Sequence, residues 1–240
     1  MPRFFCTEIN NNTAIIDGED AKHISKVLRC KLGDNITVCD TNANDYDCTI
    51  TNINSDTITL NVNSKSQSQT EPTVKVRLFQ AIPKADKLEL IIQKAVELGV
   101  TEIIPVLTQR CVARPDEKSM EKKLLRYNRI AYEAAKQCGR GIIPKVLPMV
   151  DFKQAVTMMT NDQLAILFYE NSTTSLVDIL QNPFNSISIL IGSEGGFTPE
   201  EAQFATENGC HSLSLGKRIL RCETAPIAAI AIVMYQSGNI

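Results

Sequence analysis

Only two of the 240 residues are histidine, and the eight cysteines, at 6, 30, 39, 48, 111, 138, 210 and 222, include no Cys-x-x-Cys pair. A structural zinc site is therefore not expected, and the cysteines are read as buried or half-buried free thiols. The longest apolar stretch, Ala225 to Tyr235, is well short of the roughly 18–20 residues a membrane span needs, so no membrane segment is expected. The amino-terminal string MPRFFCTEINNN has one basic residue and no apolar run behind it. A secretory signal is not expected either, and the chain reads as cytosolic. No Ser-His-Asp set, His-Glu-x-x-His helix or metal-ligand spacing occurs, which leaves hydrolase and metalloenzyme readings without support. A Gly-x-Gly-x-x-Gly turn after an early strand and a Walker loop are both missing, against dinucleotide and polyphosphate binding. A net charge of −2 argues against a uniformly basic nucleic-acid coat, although phosphate binding needs only a local cluster of Lys and Arg.

What is present is close to the average soluble domain, with 43% hydrophobic and 22% charged residues, a composition unlike disordered, collagenous or coiled-coil chains. The run NSKSQSQTEPT at 63–73 is polar, ends near a proline and has the composition of a linker. It divides the chain into residues 1–70 and 74–240. In the first part, β-branched alternation in NITVCDT, YDCTITNI and DTITLNV predicts a small antiparallel barrel or sheet, preceded by a helical piece at about 19–28. After the linker, strands at 74–82, 103–107, 164–168, 187–191 and 213–215 alternate with helices, the pattern of a parallel α/β sheet. The helices are expected at 86–98, stopped by Gly99; at about 116–138, stopped by Gly139; from a capping box at Thr198, Pro199 and Glu201; and at about 224–235. The last is so rich in alanine that it must pack closely, with a second copy of itself as one partner.

Three segments carry candidate chemistry. ISILIGSEGGFTPEEA, 187–202, is a buried strand, a turn with Gly192, Gly195 and Gly196, and a capped helix. Such a turn is either a ligand loop, where glycine lets backbone approach a bound group, or a tight connection needing glycine for its dihedrals. Glu194 in it would repel a phosphate, so a nucleoside without a polyphosphate tail fits better. LSLGKRILRCETAPIAA, 213–229, turns at Gly216 and sets Arg221 among Ile219, Leu220 and Cys222. That arginine is either paired, with Glu223 or Glu194, or reserved for an anionic or developing-anion group. Seven basic residues between 109 and 129, among them Arg110 and Arg114, face only Asp116, Glu117 and Glu121. They form either a solvated helix face or a surface for the RNA backbone.

The strings HISKVLR (23–29), KADKLELIIQKAVELGVTEIIPV (84–106), QRCV (109–112), NRIAYEAAKQCGRGIIP (128–144), GSEGGFTPEE (192–201) and LGKRILRCETA (215–225) cover nearly the whole chain in order. Together they resemble the methyltransferases that act on N3 of a uridine in 16S ribosomal RNA, the RsmE type of the SPOUT superfamily. Ser193 departs from the proline usual between Gly192 and Glu194, which loosens the turn.

The resemblance implies an α/β enzyme dependent on S-adenosylmethionine. Its mostly parallel sheet has helices on both faces, is tied in a deep trefoil knot that spacing alone does not reveal, and forms a homodimer. A small PUA-like β-barrel before it grips RNA of the small ribosomal subunit. It also implies that the cofactor lies among three loops, with Phe168, Leu190, Gly192, Gly195, Gly196, Leu215, Gly216, Ile219 and Leu220 around it.

Methylating uracil N3 requires removing its proton, because the neutral imide nitrogen has no lone pair free to attack. Arg221 is expected to hold charge building on O2 or O4. Glu194 or a nearby water is expected to take the proton, or Glu194 to orient Arg221 or the base. The RNA is expected on Arg3, His23, Arg29, Lys84, Lys87, Arg110, Arg114 and Arg140, with the target base turned out into the pocket. Two alternatives stay open: an RNA-binding module without activity, which would not need GSEGG together with LGKRILR, and a related enzyme acting at another RNA position.

Overall fold

A computed structural model of the chain describes residues 3–10 and 12–240. The chain divides into two compact units, Met1–Glu71 with Ala135–Ile143, and Pro72–Ala134 with Pro144–Ile240.

The first unit is a curled mixed sheet of β1 (Arg3–Phe5), β2 (Glu8–Ile9), β3 (Thr13–Asp17), β4 (Asn35–Cys39), β5 (Asn44–Ile53) and β6 (Thr57–Gln67), in the order β1-β4-β5-β6-β3-β2. All pairings are antiparallel except β1 beside β4. The β-branched alternation sends Ile36 and Val38 of β4, and Ile58 and Leu60 of β6, into one core with Phe4, Ile16, Ile24 and Ile50. A short helix α1 (Gly18–Lys22) continues as a π-helical turn over His23–Val27, where the sequence reading has one helix to residue 28.

The polar run read as a linker is strand up to Gln67: Ser64–Gln67 pair with Asn44–Asp47 as the far end of the β5–β6 ribbon. It reads as linker because this part of β6 lies exposed, so nothing apolar is required of it. Segment 135–143 is fastened to this unit by charge. The buried Arg140 guanidinium donates to both oxygens of Glu71, at 2.9 and 2.8 Å, and the N–H groups of Gly141 and Ile142 donate to the same carboxylate. Burial pushes the Glu71 carboxyl up, but these donors outweigh it and hold the group below its ordinary range.

The second unit is an entirely parallel sheet. Its strands are β7 (Lys75–Ala81), β8 (Glu102–Leu107), β9 (Lys145–Val146), β10 (Val150–Asp151), β11 (Leu164–Phe168), β12 (Ser186–Ile191) and β13 (His211–Leu213). The order is β10-β8-β7-β12-β11-β13, with β9 also on β8. The strands read as nearly unbroken apolar runs because helices cover both faces of such a sheet. The helices are α2 (Lys87–Glu97), α3 (Glu117–Cys138), α4 (Phe152–Met159), α5 (Leu176–Ile179), α6 (Pro199–Glu207) and α7 (Thr224–Gln236). The capping box read at Thr198 and Glu201 forms, while the strand read at 213–215 sits two residues earlier. Helix α4, with its own capping box at Asp151 and Gln154, and the two-residue strands β9 and β10 are additional to the sequence reading. One core holds Phe79, Ile104, Leu167, Leu190 and Phe197 against α4 and α6.

Beneath the sheet, Arg77 of β7 is buried and paired with Asp162: Nε donates at 2.5 Å, and Ser188 Oγ donates to the same carboxylate oxygen at 2.5 Å. Removing one member leaves the other charged, buried and uncompensated. Asp162→Ala is expected to lower unfolding stability by about 3–5 kcal/mol, read as a lower urea midpoint at unchanged slope. The apolar pair Arg77→Met with Asp162→Leu should lose much less. A loss below about 1 kcal/mol in the single variant would show the pair to be dispensable.

Candidate active site

Strand β11 lies between β12 and β13 in register, so that Phe168 at its end is flanked by Ile191 and Leu213. All three strands run the same way, and the loops that follow them leave the sheet at one edge. In open parallel sheets this edge, beyond the strands' carboxyl ends, is where ligands bind. A parallel bridge between Ser175 and Ser214, and a hydrogen bond from Ser172 Oγ to Ser212 O at 2.6 Å, lay the loop after β11 alongside the chain at β13.

The glycine loop after β12 is closed by Gly196 N–H donating to Ser193 O at 3.0 Å, so serine at 193 still permits the turn. Gly196 has φ +64, and a Cβ there would stand 3.1 Å from the Glu170 carboxylate oxygens. A Cβ on Gly195 would stand 2.9 Å from Arg110 Cβ. Arg110 also donates to Gly195 O at 3.0 Å. The loop is tied down from beneath by Glu201, a buried carboxylate whose oxygens accept from Gln109 N–H at 2.8 Å and Thr198 N–H at 3.0 Å. The QRC string thus serves the glycine loop directly. Arg114 caps the same 108–110 turn, donating to Gln109 O at 2.7 Å.

A charged cluster joins two of the loops to the start of α2. Lys87 Nζ lies 2.9 Å from Glu194 Oε1 and 3.2 Å from Glu223 Oε2. Glu194 also accepts from Lys84 N–H at 3.2 Å, holding a turn in which Ala85 adopts φ +53, a conformation costing alanine about 1–2 kcal/mol. The hydrogen bonds that Lys87 donates to the two carboxylates raise its ammonium above the ordinary range. Burial pushes Glu194 up, but Lys87 and the backbone N–H groups outweigh it and the carboxyl ends below its ordinary range. Glu223, helped first by the Cys222 thiol and then by Lys87, is lowered too, and burial pushes that thiol up to about 12. Arg221, on the same loop, is exposed, and its guanidinium has no partner among the described residues.

Of the residues expected at the cofactor, Phe168, Gly192, Gly195, Gly196, Leu215, Gly216, Ile219 and Leu220 lie on these strand ends and loops, with Ile219 fully 88% exposed. The side chain of Leu190 is wholly inside the core with Phe79 and Ile104, so only its backbone is available at the edge. Glu194 and Arg221 lie on neighbouring loops, but Glu194 is joined to Lys87 and not to Arg221.

Among the residues expected on RNA, His23, Arg29, Lys84, Arg110 and Arg114 are exposed. Arg3 and Arg140 are corrections. Arg140 is 3% exposed and committed to Glu71, and Arg3 donates to Gly139 O and to Asp45 at 2.5 Å, so both guanidinium groups are spent inside the first unit. Lys87 is held by its two carboxylates. The sequence reading gives no site role to Glu170, Glu201 or Gln80. The buried Gln80 reaches under the glycine loop and donates to Gly192 O at 3.3 Å. No local motif marks Glu170, the capping box marks Glu201 only as part of a helix start, and a polar residue inside the apolar run of β7 is the one signal for Gln80.

Comparison with known proteins agrees with this geometry. An RNA methyltransferase domain family matches residues 69–234, and an RNA methyltransferase PUA domain family matches 16–63. Ribosomal RNA small subunit methyltransferase E of Bacillus subtilis (strain 168) is 34% identical over 233 residues, covering 94% of this chain and 91% of its own. The protein of the same name from Mesomycoplasma hyopneumoniae (strain 232) is 36% identical over 227 residues, covering 95% and 96%. The crystal structure of ribosomal RNA small subunit methyltransferase E from Neisseria gonorrhoeae bound to S-adenosyl methionine superposes with a TM-score of 0.88 at 34% identity, covering 98% of this chain and 97% of that one. By sequence and by fold, the chain belongs to the RNA methyltransferase family, in the group of ribosomal RNA small subunit methyltransferase E, with a PUA domain at its amino-terminal end.

Proposed function

We propose that the chain methylates N3 of a uridine in 16S ribosomal RNA of the small subunit. The observation that carries the reading is an exposed Arg221, without a partner among the described residues, on one of three loops gathered at a single sheet edge, beside a glycine loop exposed at Glu194 and Gly195. S-adenosylmethionine, when bound, supplies an electrophilic methyl group. The residues fit such a group: the exposed Gly195 and the half-buried Gly192 and Gly196 present backbone with no side chain of their own, the half-buried Leu220 offers apolar surface, and the Glu170 carboxylate stands over Gly196.

Arg221 meets the negative charge that develops on a uracil carbonyl oxygen as N3 loses its proton, as a preorganised donor meets an oxyanion. Glu194 is a weak base for that proton, since its carboxyl is held below the ordinary range and proton uptake works best when the pKa is near the working pH. Its part in this reading is to hold Lys87 and the Lys84 turn. Exposed cations, among them Arg29, Lys118, Lys122, Lys123 and Arg129, suit the RNA backbone, with the exposed His23 as a further hydrogen-bonding group.

The knotted passage of the chain belongs to the same reading and is supported by the parallel bridge of Ser175 with Ser214. So does a homodimer: α7 carries Ile232 and Tyr235 exposed at 42% and 73%, an apolar face that a second copy would cover. Among the described residues no helix is long and apolar enough to cross a membrane, and a cytoplasmic location is part of the proposal.

With methylation-deficient small-subunit RNA and mass analysis of its nucleosides, the wild-type protein is expected to produce N3-methyluridine. Arg221→Ala should still bind S-adenosylmethionine by titration calorimetry while its kcat falls about 10²–10³-fold. A different methylated nucleoside would overturn the uridine-N3 reading, and failure of the wild type to bind the cofactor would return the chain to an RNA-binding module. The low Glu194 carboxyl yields a second expectation. Because the group is already ionised throughout the neutral range, Glu194→Gln should lower activity without moving the acid limb of the kcat–pH profile. Disappearance of that limb would identify Glu194 as the proton acceptor.

A further inference from the structure

Arginine prefers a two-pronged pairing with a carboxylate, and Arg221 has candidates on its own loop and on the loop beside it. Neither Glu223 nor Glu194 pairs with it. Both carboxylates converge instead on one ammonium, Lys87, at 3.2 and 2.9 Å. Each carboxylate accepts a further hydrogen bond, Glu223 Oε2 from the Cys222 thiol at 3.1 Å and Glu194 from Lys84 N–H. Lys87 is the first residue of α2. A cation at a helix amino terminus opposes the helix dipole, so local helix energetics do not favour a lysine there. What the position gains is reach to two loops at once.

We propose that Lys87 is a positioning residue that keeps Glu194 and Glu223 off Arg221, leaving that guanidinium free for the substrate. Without the ammonium, two carboxylates are released beside an unpaired arginine. The resulting ion pair must break before Arg221 can meet charge on a uracil oxygen. This deepens the methyltransferase reading and rests on it, but the state of Arg221 is measurable with neither RNA nor cofactor.

The test compares wild type, Lys87→Arg, Lys87→Met, Lys87→Gln and the triple variant Lys87→Met, Glu194→Gln, Glu223→Gln, each checked for folding by its Tm. Phenylglyoxal is added and the rate of Arg221 modification is followed by peptide mass analysis. Modification is expected to slow roughly fivefold in Lys87→Met and Lys87→Gln, the shift one partly exposed ion pair supplies. It should stay near wild type in Lys87→Arg and recover in the triple variant. In parallel, kcat on ribosomal RNA should fall by a similar factor in the two neutral variants, with S-adenosylmethionine affinity unchanged, and partly recover in the triple variant. Unchanged Arg221 modification in both neutral variants, or a triple variant no better than Lys87→Met, would overturn the proposal. If the wild type itself methylates no uridine, the uridine-N3 reading fails, and the modification rates alone still decide whether Lys87 keeps Arg221 free.

Discussion

The site depends on three parallel strands ending together, with Phe168 held between Ile191 and Leu213 by the ladders of β11 with β12 and β13. Because the ladders are parallel, the loops that follow all emerge at the same edge, and residues more than forty positions apart in the chain become neighbours. Buried apolar side chains enforce that alignment. Ile166, Leu167, Ile189, Leu190 and Leu213 are all fully inside, and a slip of one residue would turn each of them to the wrong face. The glycine loop can be bare at its tip because its base is fastened, by Glu201 to the 109 turn and by Arg110 to Gly195.

Charge is used in two ways in this chain. Where ion pairs are buried, as in Arg77 with Asp162 or Arg140 with Glu71, each side chain is also hydrogen-bonded to its surroundings, and the pairs serve packing. Removing one partner is costly there because the other cannot be solvated. Around Lys87 the side chains are about a quarter to a third exposed, so the individual pairs contribute little to stability. Their arrangement matters through what it leaves unpaired. Arginines therefore divide by tertiary context: Arg3 and Arg140 are spent on the first unit, while Arg221 is exposed and without a partner among the described residues.

Most strands and helices are legible from local patterning. The apolar runs at 164–168 and 187–191, and the capping box before α6, are sufficient to locate those elements because burial and backbone satisfaction impose them directly. The 63–67 segment misleads since a strand with solvent around it has no need of apolar residues. Helix α4 and the short strands β9 and β10 are missing from the reading, the strands because two residues are too few to show a period. For the site, the glycine turn and the string around Arg221 announce themselves by composition. Glu170 and Gln80 do not, and Glu201 shows only its capping role, since what each does for the glycine loop depends on a residue far away in the chain.

The sequence by itself therefore determined the element types, the parallel class of the second sheet and the two loops that carry glycine and arginine, because periodicity, capping and glycine tolerance act over a few neighbouring residues. It left open whether Arg221 was paired or free, and it set Arg3 and Arg140 on the RNA, where the structure does not put them. Those questions turn on which carboxylate reaches which cation. Only the tertiary structure decided them, by bringing Lys87 between Glu194 and Glu223 and Glu71 against Arg140, since electrostatic partnership depends on distance in space and not on separation along the chain.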